Sequence, residues 1–111
     1  MRDSGYIEEC FRKAFDFRLS MGIRSAVWHE LIEEAQERGD DDFWDRVTKE
    51  IVRSCNDHDD ISGSISDHLV ETCPDNVFIR YGIDGPYHHY RAWRKRGQRL
   101  VPNAPKPNYR K

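Results

Sequence analysis

The chain has no long apolar run, and this absence excludes one class of protein. A membrane-spanning helix needs roughly 20 consecutive apolar residues, and no segment of the 111 residues approaches that length. Residues 1–5 also lack the apolar core of a secretory signal. We therefore expect no contact with a membrane and a location in the cytoplasm, either of a bacterium or of a host cell if the gene is viral.

Cysteine is scarce, and its odd count of three argues against a complete disulfide framework. We expect reduced thiols. Two cysteines and two histidines fall within a 19-residue stretch and have the side chains that tetrahedral zinc takes. These candidate ligands are Cys55, His58, His68 and Cys73. Their spacing fits no zinc module well, and a free cysteine on an apolar stripe is usually a small core residue. We therefore expect no metal and no cofactor.

Acidic residues are nearly absent from the C-terminal part of the chain. The formal net charge is −2, but residues 1–79 hold 19 acidic and 9 basic side chains, whereas residues 80–111 hold 9 basic and 1 acidic. The chain thus divides into an acidic helical body (1–79), an extended segment with a basic amphipathic helix (80–101), and a mobile, proline-rich basic tail (102–111). Such asymmetry is typical of a basic arm that contacts nucleic acid, or of one that folds back onto the acidic body.

The body repeats apolar residues at helical spacing, and this predicts a single, small, mainly α domain of about four helices. The predicted helices are 4–21, 26–38, 42–55 and 64–72. Gly22 and Gly39 end the first two, and a capping box of Ser64 and Asp67 begins the fourth. The predicted core residues are Phe11, Phe15, Trp28, Leu31, Trp44 and Val47.

After Pro74 the pattern changes. Residues 77–81 form a short apolar run rich in β-favouring side chains, and they predict an extended segment. Pro86 then looks like the first position of a helix. We expect this helix to cover Tyr87 to about Arg96 and to continue as far as Leu100.

The basic helix and tail are the leading binding candidates. On a helical wheel most of the cations fall on one side, and Tyr90, Trp93 and Leu100 fall on the other. A row of cations can neutralise successive phosphates, and tyrosine can stack on unpaired bases. The predicted nucleic-acid-binding residues are Arg91, Arg94, Lys95, Arg96, Arg99, Tyr109, Arg110 and Lys111.

An acidic surface is the alternative candidate, as a site for a basic protein surface or as a mimic of nucleic acid. Its predicted residues are Glu30, Glu33, Glu34, Glu37, Asp40, Asp41 and Asp42. The glutamates of this set, with Glu50, resemble those of all-helical nucleotide pyrophosphohydrolases. That resemblance implies a Mg²⁺ site between neighbouring helices. The chain departs from the family's pattern at Arg53, where an aspartate should follow Glu50 by three residues.

The sequence contains no motif that fixes a reaction. Our first hypothesis is a non-enzymatic accessory protein that binds nucleic acid or a nucleoprotein complex through its basic C-terminal arm. The second is a protein-binding regulator or inhibitor that uses its acidic face, as is frequent among phage-encoded anti-defence and host-takeover proteins. A metal-dependent hydrolase is a distant third. The oligomeric state is not predicted.

Overall fold

The computed structural model describes residues 2–58, 61–82 and 90–102, and within these ranges the chain forms six helices and no strand. The helices are α1 (Ser4–Ala14), α2 (Met21–Arg38), α3 (Asp41–His58), α4 (Gly63–Thr72), α5 (Asp75–Gly82) and α6 (Arg91–Leu100). The mainly helical fold is confirmed, with more helices than the four predicted for the body. None of the helices in the described ranges has the length and apolar character needed to cross a membrane.

The core lies along the two long helices. Helix α1 packs on α2, which also contacts α3 and α4; α5 packs on α3, and α6 rests on α4 and α5. Phe11 and Phe15 meet the Trp28 ring edge-on, with centroids 6.5 and 5.6 Å away, a preferred arrangement for aromatic pairs. Five of the six predicted core residues are buried, and the sixth, Phe15, is partly buried against the same cluster.

The first helix ends seven residues earlier than predicted. It stops at Ala14, and the second begins at Met21 instead of residue 26. In the intervening turn the Asp16 carboxylate accepts a hydrogen bond from the Arg18 backbone N–H at 3.1 Å. The Ser20 hydroxyl accepts one from the Ile23 N–H at 3.3 Å. Short polar side chains that bond to nearby N–H groups favour turns and N-caps over helix interiors, so Gly22 lies inside α2.

The link between α2 and α3 agrees with its prediction. Gly39 has a left-handed backbone with φ 60°, which glycine adopts without steric cost. Asp40 then accepts a hydrogen bond from the Asp42 N–H at 3.0 Å, so it caps α3. Helix α3 continues to His58, three residues past its predicted end.

The capping box predicted for the fourth helix is wrong. Ser62 is the N-cap of α4 and makes no side-chain capping bond, so Ser64 already lies inside the helix. The end of α4 is as predicted. Cys73, next to Pro74, is extended with φ −66° and ψ 133°, as expected of a residue that precedes proline.

The extended segment predicted for residues 77–81 is also wrong, because those residues belong to α5. The N–H groups of Val77 and Phe78 donate to the Pro74 carbonyl at 3.1 and 2.8 Å, which closes the first turn of a helix. Val77 and Phe78 are fully buried and Tyr81 is partly buried, whereas Ile79 is exposed. This spacing fits one helical face, and that face covers the body.

The basic helix begins later than predicted. Tyr90 is an extended N-cap, and α6 starts at Arg91. The predicted start at Pro86 and the tail residues Tyr109, Arg110 and Lys111 lie outside the described residues.

We predict that Trp44→Ala lowers the free energy of unfolding by about 3–5 kcal/mol, because truncation of a buried large aromatic leaves a cavity. Trp44 is buried in α3. Denaturant unfolding followed by circular dichroism measures the loss. Ile79→Ala, at an exposed site, is the matched control and should change stability by less than about 0.5 kcal/mol. Equal stability of the Trp44 variant and the wild type would contradict the packing of α3.

Candidate nucleic-acid interface

Helix α6 is attached to the body by its two aromatic residues. Trp93 is fully buried, and its ring centroid lies 4.5 Å from that of Phe78 in α5. The Tyr90 hydroxyl donates to the backbone carbonyl of Ile61, just before α4. Both aromatic side chains therefore face the body, as the helical wheel predicted.

Arg96 fixes the other end of this contact. Its guanidinium donates to the Val70 carbonyl at 2.6 Å, to the Cys73 carbonyl, and to the Asp75 carboxylate at 2.6 Å. It also stacks on the Phe78 ring, 4.5 Å from the centroid. The two carbonyls belong to the last turn and C-cap of α4, where helix carbonyls lack internal partners. Arg96 is 8% exposed. The prediction that it lies on the binding surface is therefore corrected, because its side chain anchors α6 to the body.

The outward side of α6 carries four cations, which we call the basic face. Its members are exposed: Arg91, Arg94, Lys95 and Arg99. Arg91, Lys95 and Arg99 follow one another at intervals of four residues, so they form a row about 12 Å long at 1.5 Å rise per residue. Within the described residues none of the four forms an ion pair. The charges of the basic face are therefore not compensated by ion pairs within the described residues.

Most arginines of the body differ from those of the basic face, because they form ion pairs with carboxylates. Arg46 makes two hydrogen bonds to Glu8 at 2.6 and 2.7 Å. Six further arginines form ion pairs with nearby carboxylates: Arg2, Arg12, Arg18, Arg38, Arg53 and Arg80. These arginines are thus engaged within the protein, in contrast to the cations of the basic face.

The acidic surface predicted on α2 is largely neutralised. Glu34 is fully buried and accepts hydrogen bonds from Arg38 at 2.6 Å and Arg2 at 2.8 Å. These bonds, with that of Arg38 the strongest, lower the pKa of Glu34 to about 2. Arg2 also binds Glu30 at 2.9 Å and Glu37 at 3.3 Å. The expectation of an outward-facing acidic row is therefore wrong for Glu34, and two of its neighbours are ion-paired.

The remaining acidic candidates stay on the surface. Glu33 is exposed on α2, and Asp40, Asp41 and Asp42 are exposed at the start of α3. Asp41 accepts a hydrogen bond from the Asn76 amide at 2.6 Å. With Glu37, which is exposed but paired with Arg2, these four residues are the exposed members of the predicted protein-binding set.

The candidate metal ligands, which were not expected to bind a metal, form no metal site among the described residues. Cys55 and Cys73 are buried free thiols, and burial raises the pKa of Cys73 to about 11, which disfavours the thiolate that binds metal. His68 instead lies against His29, and the side chain of His58 is outside the described part of the chain. Across residues 2–58, 61–82 and 90–102, no group of three or more potential ligands is placed to hold a metal ion.

Several glutamates of the set that resembles a pyrophosphohydrolase site already have arginine partners. Glu50 accepts a hydrogen bond from Arg53 at 2.7 Å. Arg53 is the residue that stands where the pattern requires an aspartate. Glu34 is held by two arginines as well, whereas Glu33 is exposed.

The contact between His29 and His68 was not predicted from the sequence. Their Nδ1 atoms are 2.7 Å apart, and both side chains are partly buried where α2 meets α4. His29 lies beside the apolar stripe of α2, and His68 lies beside that of α4. This flanking position was the only sequence signal, and it does not identify which histidines meet.

Comparisons of the chain with protein-family models, with curated proteins and with solved structures find no match.

We predict that Arg96→Ala destabilises the protein by about 2–4 kcal/mol, because it leaves buried carbonyls of α4 without their charged donor. Arg94→Ala, two residues away on the exposed side, is the matched control and should change stability by less than about 0.5 kcal/mol. Denaturant unfolding measures both. Equal effects of the two substitutions would show that Arg96 does not anchor α6.

We predict that Glu34 contributes to stability only above the acid range. Its pKa falls from 4.5 to about 2 on folding, so its contribution is complete above pH 4.5 and is lost as pH falls toward 2. In Glu34→Gln that part of the acid-induced loss of stability should disappear, with lower stability at pH 7. Denaturant unfolding at several pH values measures the slope, and an unchanged slope between pH 4.5 and 2 would contradict the prediction.

Proposed function

We propose that this protein is a non-enzymatic accessory protein that binds nucleic acid, free or within a nucleoprotein complex, through the basic face of α6. The observation that carries the proposal is the contrast between two sets of cations. Six arginines of the body, and Arg80 of α5, have carboxylate partners. The four cations of the basic face are exposed and have no ion-pair partner among the described residues.

Unpaired, exposed cations on a fixed helix suit a phosphate backbone. Neutralisation of successive phosphates releases condensed counterions, which favours binding, and arginine adds bidentate hydrogen bonds to phosphate oxygens. Trp93 and Arg96 hold α6 against the body, so the cations require little further ordering of the backbone. A partner that is itself a polyanion thus fits the basic face better than a basic or apolar surface.

The acidic body restricts how a nucleic acid can approach. Exposed carboxylates on α2 and α3, among them Glu33 and Asp42, repel phosphates, whereas the basic face attracts them. This polarity orients the protein during encounter. It supports a single contact surface on α6.

The described part of α6 supports contact with the backbone more than stacking on bases. Trp93 is buried, and Tyr90 is partly buried and held by its hydrogen bond to Ile61, so the described part of α6 offers no fully exposed aromatic ring to a base. Contacts to phosphates carry little sequence information. We therefore propose binding with weak dependence on base sequence.

The compartment we propose is a reducing one, such as the cytoplasm. The three cysteines are free and buried in the fold, which is consistent with a cell interior in which thiols stay reduced.

The proposal predicts binding of duplex DNA or RNA that weakens steeply with salt. For about four phosphate contacts on duplex DNA, a plot of log affinity against log salt concentration should have a slope near −4. Fluorescence anisotropy with a labelled duplex and a labelled single strand, each over a salt series, measures this slope. Failure to bind either form at low salt would contradict the proposal and favour the acidic surface as the binding site.

Matched charge variants locate the binding surface. Arg94→Ala with Lys95→Ala removes two cations from the basic face and should reduce the magnitude of the slope by about 2. Lys13→Ala with Lys49→Ala removes the same charge from exposed sites of the body and should leave the slope unchanged. Equal effects of the two pairs would show that net charge, and not the basic face, determines binding.

A further inference from the structure

The two partly buried histidines that join α2 to α4 are arranged to share a proton. The Nδ1 atoms of His29 and His68 are 2.7 Å apart, and the ring centroids are 4.9 Å apart with an angle of 30° between the ring planes. The centroid distance is close to the sum of the Nδ1–Nδ1 distance and the two distances from each ring centre to its own Nδ1. The rings therefore meet edge to edge, with their nitrogens directed at each other and not toward a common third point, as a metal ion would require.

This geometry is stable in only some protonation states. With one ring protonated at Nδ1, that N–H donates to the unprotonated Nδ1 of the other ring. With both rings in the imidazolium form, each Nδ1 carries a hydrogen and the bond is lost. Two positive charges would then face each other in a partly buried site, where charge is poorly solvated.

The surroundings of His29 oppose its protonation. Burial and the proximity of His68 lower the pKa of His29, and Glu33, one turn along α2, acts in the opposite direction. The Ser64 hydroxyl of α4 lies 3.4 Å from His29 Nε2. On α4, the carboxylates of Asp67 and Glu71 flank His68 in sequence but are exposed. Within the described residues, α1, α3 and α6 contribute no charge that shifts the pKa of His29.

We propose that the His29–His68 pair makes the contact between α2 and α4 a pH-sensitive joint that weakens when both rings are protonated. In the unfolded chain the histidines titrate near their ordinary value of about 6.5. Below that pH the unfolded chain binds more protons than the folded one, so stability falls as pH falls. Above it the unfolded chain no longer takes up these protons, and the hydrogen bond between the two rings is kept.

The His29–His68 contact affects the basic helix α6 because α4 supports α6. The carbonyls of Ile61, Val70 and Cys73 that hold α6 all belong to α4 or its ends. Weaker packing of α4 on α2 therefore weakens the support that α4 gives to α6 and its basic face. The proposal itself does not depend on nucleic-acid binding, because its test measures only protonation and unfolding.

The test compares the wild type with the double variant His29→Gln/His68→Gln. Denaturant unfolding at pH 7.5, 6.5 and 5.5, with a chelator present throughout, gives the unfolding constant of each protein. The wild-type constant should rise toward acid more steeply than that of the variant, by up to tenfold per pH unit for each extra proton that the unfolded chain binds. Parallel pH profiles of the two proteins would overturn the proposal.

A second measurement does not disturb the hydrogen bond. Glu33→Gln removes the carboxylate that favours protonation of His29, so the protonation midpoint of the pair should move to lower pH. Glu37→Gln, one turn farther along α2, removes the same charge and should leave the midpoint in place. Long-range ¹H–¹⁵N spectra of the imidazole rings report the midpoints, with the histidine variants giving the assignment. Equal midpoints in the wild type and Glu33→Gln would refute the joint as described.

Discussion

The placement of the basic helix depends on the buried guanidinium of Arg96. A free cation on a short, strongly basic helix would normally stay in water, but Arg96 meets two carbonyls at the end of α4, the Asp75 carboxylate and the Phe78 ring. A single side chain thus satisfies the terminal carbonyls of one helix and fixes the position of another. With Trp93 beside it in the core, this contact determines which side of α6 faces solvent.

The charged side chains of this fold have two roles: those of the body form ion pairs, and those of the basic face are proposed to bind a partner. The body uses arginines to compensate its excess of carboxylates, most completely at Glu34, which has no exposed surface and two arginine partners. Removal of one partner from such a buried pair is costly, because the remaining charge loses both water and its counter-charge. The basic face has no such structural duty within the described residues. This difference, more than the net charge, is the physical basis of the proposed function.

The pairing of α2 with α4 links these features. His29 and His68 join the two helices, and α4 in turn supports α6 at both of its ends. A change at the histidine pair therefore has a short physical route to the basic face, through the backbone of one ten-residue helix. The histidine contact can influence α6 in this way because it has two distinct states, with the hydrogen bond formed or broken.

The sequence by itself determined the helical class, most of the core, and which side of α6 is basic, because these depend on local periodicity. It did not determine that residues 77–81 form a helix, because their β-favouring side chains were overruled by burial of Val77 and Phe78 on one helical face. The sequence also did not reveal that Arg96 is buried while the other cations of α6 are exposed, that Glu34 is held by two arginines, or that His29 contacts His68. The bond from Arg38 to Glu34 is local, four residues along α2. The Arg96 and His29–His68 contacts, and the bond from Arg2 to Glu34, join residues more than 20 positions apart in sequence, and only tertiary packing decides which distant side chains meet.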